Sequence, residues 1–492
     1  MDKNYTDVRT IFSLDVHSLA LFRILLGIAI ILEAVNRIKF IPAFYSESGI
    51  VPLEMVSLEN ITHAYHFQLM MISGSEWFAL LFFLVLLVFG VMLILGLYTK
   101  AANFFAWLLF CSAIVRDPLT SHAGDTLLIV LLFWGLFLPL GKVFSVDSLR
   151  NTLNKPKKYL VYSPASIAMY VQFSLVYITT GLFKANYDTW LNGTHLYITL
   201  SRFDYVEPLA FLIYPYYELL TFLTHITLYL ELFGPLLLFI PIYFFGFRML
   251  AIFLFVGLQV SIGLLMDVGI FPLISIAGIL VLLPSGFWNR ITPFVEKYYS
   301  QIKLPLYKLV KNNFPDKKPL VQFTKRWRNA MNGFLVASMI YVSLWNIGEV
   351  SKSFDWPDYF KKPGYYLKLN QKWSMFAAPA NKSEYYALEV IYEDDSVKDL
   401  MERIRSDKST SDSEFHHEFY SNYRWRIFFS NRIGRGSFSD FWETFVNYKL
   451  ESNNISIQDN TNIKSIELVG YWHQIGNNYN HSNLNRSLLL RL

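Results

Sequence analysis

Apolar runs of about 20 residues recur along the first 350 residues of the chain and then stop. A helix of about 20 apolar residues crosses the hydrocarbon of a bilayer, where other backbone conformations leave polar groups unsatisfied. The pattern therefore predicts a polytopic, all-α membrane bundle of about nine transmembrane helices. The predicted spans are 17–36, 76–98, 101–116, 124–141, 164–184, 217–242, 247–266, 269–287 and 332–348.

The pattern changes in the last 140 residues. Alternation of apolar and polar residues in YYALEVIYE and IKSIELVGYWHQI predicts half-buried strands, and SFSDFWETFVNYKLES is typical of a helix that begins with capping residues. This region is predicted to be a small α+β domain outside the membrane. The expected division is a transmembrane bundle over 1–290, a basic cytoplasmic loop over 291–331, a last helix over 332–348 and the C-terminal domain over 349–492.

Composition agrees with a membrane protein, since 53% of residues are apolar and only 16% are charged. The C-terminal region from residue 351 holds 18 basic and 18 acidic residues, so the net charge of +5 belongs to the membrane part. This distribution predicts no nucleic-acid partner. The single cysteine, Cys111, excludes an intrachain disulfide, and the spacing of the histidines predicts no metal site.

Short loops rich in lysine and arginine mark the cytoplasmic side of a membrane protein. The 142–163 loop has five basic residues against Asp147, and the 288–331 loop has ten against two acids. Both loops are predicted to be cytoplasmic. We therefore expect a protein of the cell membrane whose N-terminus is cytoplasmic. The segments expected outside are 37–75, 117–123, 185–216 and the C-terminal domain. If 332–348 were only a surface helix, the C-terminal domain would be cytoplasmic.

Lys184 ends an apolar run, and two interpretations of it remain open. A lysine at this position can extend its ammonium to the membrane interface beside aromatic residues such as Trp190. Alternatively, an apolar pocket lowers the pKa of a lysine, and a neutral amine can act as a general base.

His122 also has two interpretations: it can cap the helix that begins at Gly124 and Asp125, or donate a hydrogen bond to a developing oxyanion. Arg116 and Asp125 lie near it in the sequence, as candidate orienting groups. Charges inside apolar spans normally have partners, and we expect Arg23 and Glu231 to form an intramembrane ion pair.

Three segments together resemble a known family. They are LFRILLGIAIILE with FYSESGIVP, then RDPLTSHAGDTLLIVLLFWGLFLPLGKVFSVD, then VQFSLVYITTGLFKANYDTWLNGTHL. Over about residues 10–290 the chain resembles the horizontally transferred transmembrane (HTTM) domain shared with vitamin K-dependent gamma-carboxylases, in its bacterial form. The family pattern has two adjacent lysines, whereas here Phe183 precedes Lys184, and there is one extra residue before Trp190.

The resemblance implies an enzyme of the quinol-epoxidising lyase or ligase type, which carboxylates glutamate side chains. It implies Lys184 as the base and His122 as its helper, supported by Arg116, Asp125 and Trp190. A reduced quinone, vitamin K or menaquinol-like, is the implied cofactor. If the chain is such an enzyme, we expect an apolar pocket between the fourth and fifth spans, open toward lipid, where Lys184 and His122 converge.

Two functions remain open for this chain. The first is a bilayer enzyme that modifies an exported peptide or protein. The second is a non-catalytic membrane module for the maturation, immunity or scaffolding of an exported partner, in which Lys184 is only an interface anchor.

Overall fold

The computed structural model describes most of the chain. The described residues are 6–59, 68–150, 159–202, 206–295, 297, 307, 324–351, 356–380, 382–401, 403–404, 419–420, 422–433, 438–455, 462–476, 481–483 and 485–492. Most of the predicted basic loop over 291–331 lies outside these residues.

The helices of the bundle follow the predicted apolar runs. The longer ones are α1 (Val16–Ile38), α2 (Glu76–Leu95), α3 (Thr99–Arg116), α4 (Ala123–Gly135), α5 (Pro164–Lys184), α6 (Tyr217–Phe233), α7 (Phe244–Leu265), α8 (Phe271–Leu280) and α9 (Lys325–Ser351). Short helical segments connect them at Val8–Ile11, Ile41–Tyr45, Leu53–Glu59, Leu69–Met71, Val146–Leu149, Asp188–Leu191, His195–Leu200, Pro208–Leu212 and Gly234–Phe239. Residues Leu14–Asp15 pair with Leu160–Val161 as a small antiparallel ladder.

The predicted count of nine spans is not confirmed. Within the described residues, six helices are long and apolar enough to cross a membrane: α1, α2, α5, α6 with its continuation to Phe239, α7 and α9. A seventh span is possible if α8 and Ser285–Val295, which meet at a bend of 101°, count as one. Helix α4 has only 13 residues, or about 20 Å at 1.5 Å per residue, which is short of the hydrocarbon thickness of about 30 Å.

Helix α4 is nevertheless the centre of the bundle. It is buried along nearly its whole length and packs against α1, α3, α5 and α8. Helices α1 and α2 approach closely at two glycines, because a Cβ atom on Gly27 would lie 2.7 Å from the carbonyl oxygen of Gly90. Small residues of this kind allow helix backbones to pack directly against each other.

The C-terminal region folds as the alternation predicts. Strands β1 (Lys382–Tyr392), β2 (Val397–Asp399), β3 (Ile463–Gln474) and β4 (Asn485–Arg491) form an antiparallel sheet in the order β2-β1-β3-β4. The central pair places Leu388 opposite Leu468. Helices α10 (Asp358–Leu367), α11 (Tyr423–Arg432) and α12 (Trp442–Ser452) complete it, together with Phe438–Phe441 and a two-residue ladder of Arg403–Ile404 with Phe419–Tyr420. Both predicted strands and the predicted helix are confirmed.

This C-terminal region packs onto one end of the bundle. The Thr444 hydroxyl donates to the Ile50 carbonyl at 2.9 Å, and the Asn431 amide donates to the Leu119 carbonyl at 2.8 Å. One continuous apolar core includes residues of both regions. Segments that the loop charges predict on one side of the membrane therefore meet at one end of the molecule. That this end faces outward stays a prediction.

Candidate functional site

A buried group of opposite charges joins the bundle to the C-terminal region. We call it the ion cluster, and it consists of Glu33 and Arg37 of α1, Asp117 and Asp125 around the α3–α4 connection, and Arg424 of α11. Arg37 lies 3.2 Å from Glu33, 3.0 Å from Asp125 and 3.5 Å from Asp117, and Arg424 lies 2.5 Å from Glu33. Each of these carboxylates thus faces a guanidinium group.

Two tyrosines complete the ion cluster. The Arg37 guanidinium donates to the Tyr45 hydroxyl at 2.6 Å, and Tyr45 donates to Asp117 at 3.1 Å. The Tyr423 hydroxyl donates to Glu33 at 3.0 Å. The candidate ligand atoms of Glu33, His122 and Asp125 lie within 4.8 Å of one another, as in a metal site. Because guanidinium groups already neutralise these carboxylates, the arrangement favours an ion network over a cation site.

Arg116, predicted to support the site, lies outside the ion cluster. Its side chain is buried, with the residue 1% exposed. Its guanidinium carbon lies 6.0 Å from the Tyr45 ring centroid, and its three nitrogens make no hydrogen bond to any residue that the structure describes. Asp125, the other predicted supporting group, is held by Arg37 instead of by Arg116.

His122 caps the first turn of α4. Its Nδ1 accepts a hydrogen bond from the Gly124 amide at 2.9 Å, and the Asp125 carboxylate accepts one from the His122 amide at 3.1 Å. Because Nδ1 accepts, the proton of the neutral ring lies on Nε2. Burial lowers the pKa of His122 and keeps the ring neutral. The buried Nε2 has no hydrogen-bond partner among the described residues, and it lies 3.9 Å from Oδ2 of Asp125.

A cavity of about 340 Å³ lies beside His122, and we call it the histidine cavity. It lies between the first turn of α4, the short helix His195–Leu200, the start of α8, residues 374–380 and α11. Its lining residues are His122, Ala123, Gly124, His195, Thr199, Arg202, Val268, Phe271, Ser374, Met375, Phe376, Ala377, Ala378, Ala380, Arg426, Ile427 and Ser430. This lining combines apolar walls with imidazole, guanidinium and hydroxyl groups and contains no carboxylate.

Lys184 is held away from water at the end of α5. Its side chain is 5% exposed, and its Nζ lies 2.7 Å from Oε1 of Glu231 on α6. The same nitrogen lies 4.4 Å from the centroid of the Trp190 ring. The predicted interface anchor is therefore not what the structure shows, because the ammonium turns inward to a carboxylate and an aromatic face.

The predicted pair of Arg23 with Glu231 is wrong. Arg23 Nη2 donates to the Phe144 carbonyl at 2.6 Å, near the turn that follows α2, while Glu231 binds Lys184. The sequence shows which helices have charges, but not which charges lie at the same depth once the helices pack. Arg23 and Glu231 lie in different parts of the bundle.

An aromatic stack connects Lys184 to the histidine cavity. The His195 ring stacks on Trp190, with centroids 4.3 Å apart and planes inclined by 19°. His195 Nδ1 lies 2.9 Å from the Thr189 hydroxyl, and Trp190 donates to the Phe376 carbonyl at 3.0 Å. Burial, assisted by the charge of Lys184, lowers the pKa of His195 to about 3. His195 is thus a neutral imidazole with one face toward Trp190, and it lines the cavity.

The structure corrects the predicted pocket between the fourth and fifth spans. A void between α4 and α5 measures about 20 Å³, with room for about one water molecule. Neither Lys184 nor His122 lines it, and Lys184 does not line the histidine cavity either. The imidazole closest in this arrangement to Lys184 is His195, which stacks on the Trp190 ring that Lys184 contacts. Sequence reasoning missed it, although it lies only eleven residues after Lys184 in the same recognisable segment.

Comparison with known protein families finds a match over the membrane part of the chain. The family model for the HTTM domain matches residues 12–287, which include Lys184, Glu231, His122 and His195. The C-terminal sheet lies outside the match. No curated protein and no solved structure matches the chain.

Proposed function

Because the chain belongs to the HTTM domain family, we propose that it is a vitamin K-dependent gamma-carboxylase-like membrane enzyme. It would use a reduced lipid quinone and the amine of Lys184 to modify an exported peptide or protein. The single observation that supports this most is the near-complete burial of Lys184, at 5% side-chain exposure, beside the wall of a cavity lined by two histidines. The proposed location is the cell membrane, with the C-terminal domain outside.

The histidine cavity suits the head of a quinol. Its apolar residues, Val268, Phe271 and Met375, can contact a ring, and its volume of about 340 Å³ is within the range of small-molecule sites. His122 lines this cavity, and its Nε2 would donate to an oxygen of that ring. When bound, such a quinol supplies an acidic hydroxyl and an electron pair for reaction with oxygen.

Lys184 can accept a proton only as the neutral amine. Nζ donates to Oε1 of Glu231 at 2.7 Å, so transfer of that proton to Glu231 would leave a neutral amine. When Glu231 holds that proton, Lys184 is a base in a site that excludes water. Glu231 is therefore assigned as the residue that sets the protonation of Lys184. Its Oε2 is buried with no hydrogen-bond partner in the described part of the chain.

His195 and Trp190 form the wall between Lys184 and the histidine cavity. Because these rings are stacked between Lys184 and the cavity, a proton from a bound quinol would have to pass them to reach Lys184, or the Trp190 ring would have to move. Two neutral imidazoles, His122 and His195, would hold the oxygen atoms of the ligand without adding charge. A neutral donor stabilises an oxyanion and leaves the net charge of the site to Lys184 and Glu231.

The test is turnover of a reduced menaquinone-type quinol by the full chain in lipid vesicles, with oxygen and carbon dioxide supplied. Chromatography of the quinone epoxide measures the product. We expect Lys184→Ala to reduce the rate by at least about a hundredfold, in line with the usual contribution of a general base. Lys325→Ala, at an exposed position on α9, should leave it unchanged. A rate in Lys184→Ala equal to wild type would overturn the assignment.

The second candidate function is a non-catalytic membrane module for the maturation, immunity or scaffolding of an exported partner. One observation favours it: Lys184 and Glu231 neutralise each other, as a purely structural ion pair between helices does. In that case the pair holds α5 against α6, and apolar substitutions at both positions would leave the function intact.

A further inference from the structure

A second cavity lies on the other side of the first turn of α4. It measures about 200 Å³, and we call it the lysine cavity. The end of α3, the first turns of α4 and the segment after α10 surround it, with Ile114, Val115, Pro118, Ser121, Thr126, Ile129, Lys368 and Asn370 as lining. None of these residues lines the histidine cavity or takes part in the proposed reaction.

The polar groups of the lysine cavity lack partners. The side chains of Ser121, Thr126, Lys368 and Asn370 make no hydrogen bond or ion pair with any residue within the described ranges. Oδ1 of Asn370 is moreover buried. Buried polar groups in proteins normally have a partner. The cavity thus presents an ammonium group and two hydroxyls as donors, and an amide oxygen as an acceptor.

Lys368 is placed here by the end of α10. It adopts a left-handed conformation, with φ of 53°, at the position after the helix where glycine or asparagine is usual. It lines the lysine cavity together with Ile114 and Val115 of α3. Burial lowers the pKa of Lys368, because it removes water from the ammonium group. A bound anion would stabilise that charged form.

Lys372, four residues further along, shows the contrast. Its side chain is 59% exposed and lies 3.3 Å from Glu349. Among the residues that the structure describes, no carboxylate lines the lysine cavity, so Lys368 has no such partner there.

We propose that the lysine cavity binds a glycerol phosphate group, with Lys368 on the phosphate and Asn370 Oδ1 accepting from a glycerol hydroxyl. Side chains of Ile114, Val115 and Ile129 form the apolar part of the lining, which suits the start of an acyl chain. The volume of about 200 Å³ has room for a small headgroup and is too small for a long-tailed quinone. Basic pockets at the ends of membrane helices bind anionic headgroups in this way.

Phosphatidylglycerol and free glycerol phosphate present the same chemistry. Phosphatidylethanolamine differs in charge, because its own ammonium neutralises its phosphate and adds a second positive charge beside Lys368, and none of the lining residues is a carboxylate that could balance it. Selection for phosphatidylglycerol over phosphatidylethanolamine is therefore expected. This selection does not depend on quinol turnover.

The experiment is native mass spectrometry of the full chain released from vesicles that contain equal amounts of the two lipids. We expect wild type to retain phosphatidylglycerol in preference, and Lys368→Met to reduce its retention about tenfold, in line with loss of a charge-assisted hydrogen bond. Lys372→Met is the matched control and should retain the lipid like wild type. Displacement by free glycerol 3-phosphate would identify the soluble compound as a ligand of the same site.

A second measurement uses only the wild-type chain, in case Lys368→Met does not fold. Acetylation of lysines is mapped by mass spectrometry with phosphatidylglycerol, phosphatidylethanolamine or glycerol 3-phosphate present. Phosphatidylglycerol or glycerol 3-phosphate should protect Lys368 and leave Lys372 reactive. Equal retention of both lipids, or modification of Lys368 that none of the three compounds changes, would overturn the proposal.

Discussion

The ion cluster and the pair of Lys184 with Glu231 are two sets of buried charges that are built differently. In the ion cluster, Arg37 and Arg424 each contact carboxylates, and hydroxyl groups fill the remaining positions. Near Lys184, the buried Oε2 of Glu231 remains without a hydrogen-bond partner among the described residues. Satisfied charges stabilise a fold, whereas unsatisfied ones beside a cavity are typical of sites that act on a ligand.

The largest effect is expected from breaking the ion cluster. Replacing Arg37 by methionine removes the guanidinium that pairs with Asp117 and Asp125 and one of the two that pair with Glu33. Breaking one buried pair already costs about 3–5 kcal/mol. We expect Arg37→Met to lower the free energy of unfolding by at least about 5 kcal/mol. Unfolding in detergent, followed by tryptophan fluorescence, measures this loss.

The control is an exposed ion pair in the C-terminal sheet. Lys464 lies 2.7 Å from Asp395, and both side chains are largely exposed. Exposed pairs contribute little because water screens them. Lys464→Met should unfold like wild type, and a similar loss in both variants would show that burial does not distinguish the ion cluster.

A smaller effect is expected from breaking the pair of Lys184 with Glu231. Lys184→Met removes the only hydrogen-bond partner of Glu231 among the described residues and leaves a buried carboxylate. We expect a loss of about 3 kcal/mol, at the low end for a broken buried pair, since the carboxyl group can take up a proton. Glu231→Gln keeps an acceptor for Lys184, so its loss should be smaller. An equal loss in the two variants would contradict a proton-sharing pair.

The smallest effect is a dependence of stability on pH at His195. Its pKa is about 3 in the folded chain and about 6.5 when unfolded, so the unfolded chain binds more protons between these values. Stability from this group is therefore complete above pH 6.5 and declines as the pH falls toward 3. At pH 5 the loss relative to pH 7 is about 2 kcal/mol. His195→Phe keeps the ring stack on Trp190 and should lose this part of the pH dependence. An unchanged pH profile would contradict a buried neutral imidazole.

The sequence predicted those features that repeat along the chain. Apolar runs locate the helices, and alternation locates β1 and β3, because each pattern arises from burial of one element. The ion pairs were not predictable in this way. Glu231 pairs with Lys184 instead of Arg23 because packing, which the sequence does not show, decides which charges share a depth.

The lining of the histidine cavity was also beyond sequence reasoning. His195 and Arg426 are 231 positions apart and meet only because α11 packs on the end of the bundle. His122 was predicted as a cap or as a donor, and the structure shows the cap through Nδ1, while the buried Nε2 has no hydrogen-bond partner among the described residues. Its role toward a ligand stays a proposal.

The most direct test of the proposed function is quinol turnover by the double variant Lys184→Met/Glu231→Met. Replacing both members of a buried ion pair with apolar residues of similar volume is often neutral for stability, so this variant should fold like wild type. We expect a folded protein that forms no quinone epoxide under conditions where wild type does. Epoxide formation at the wild-type rate would contradict it and assign the pair a purely structural role.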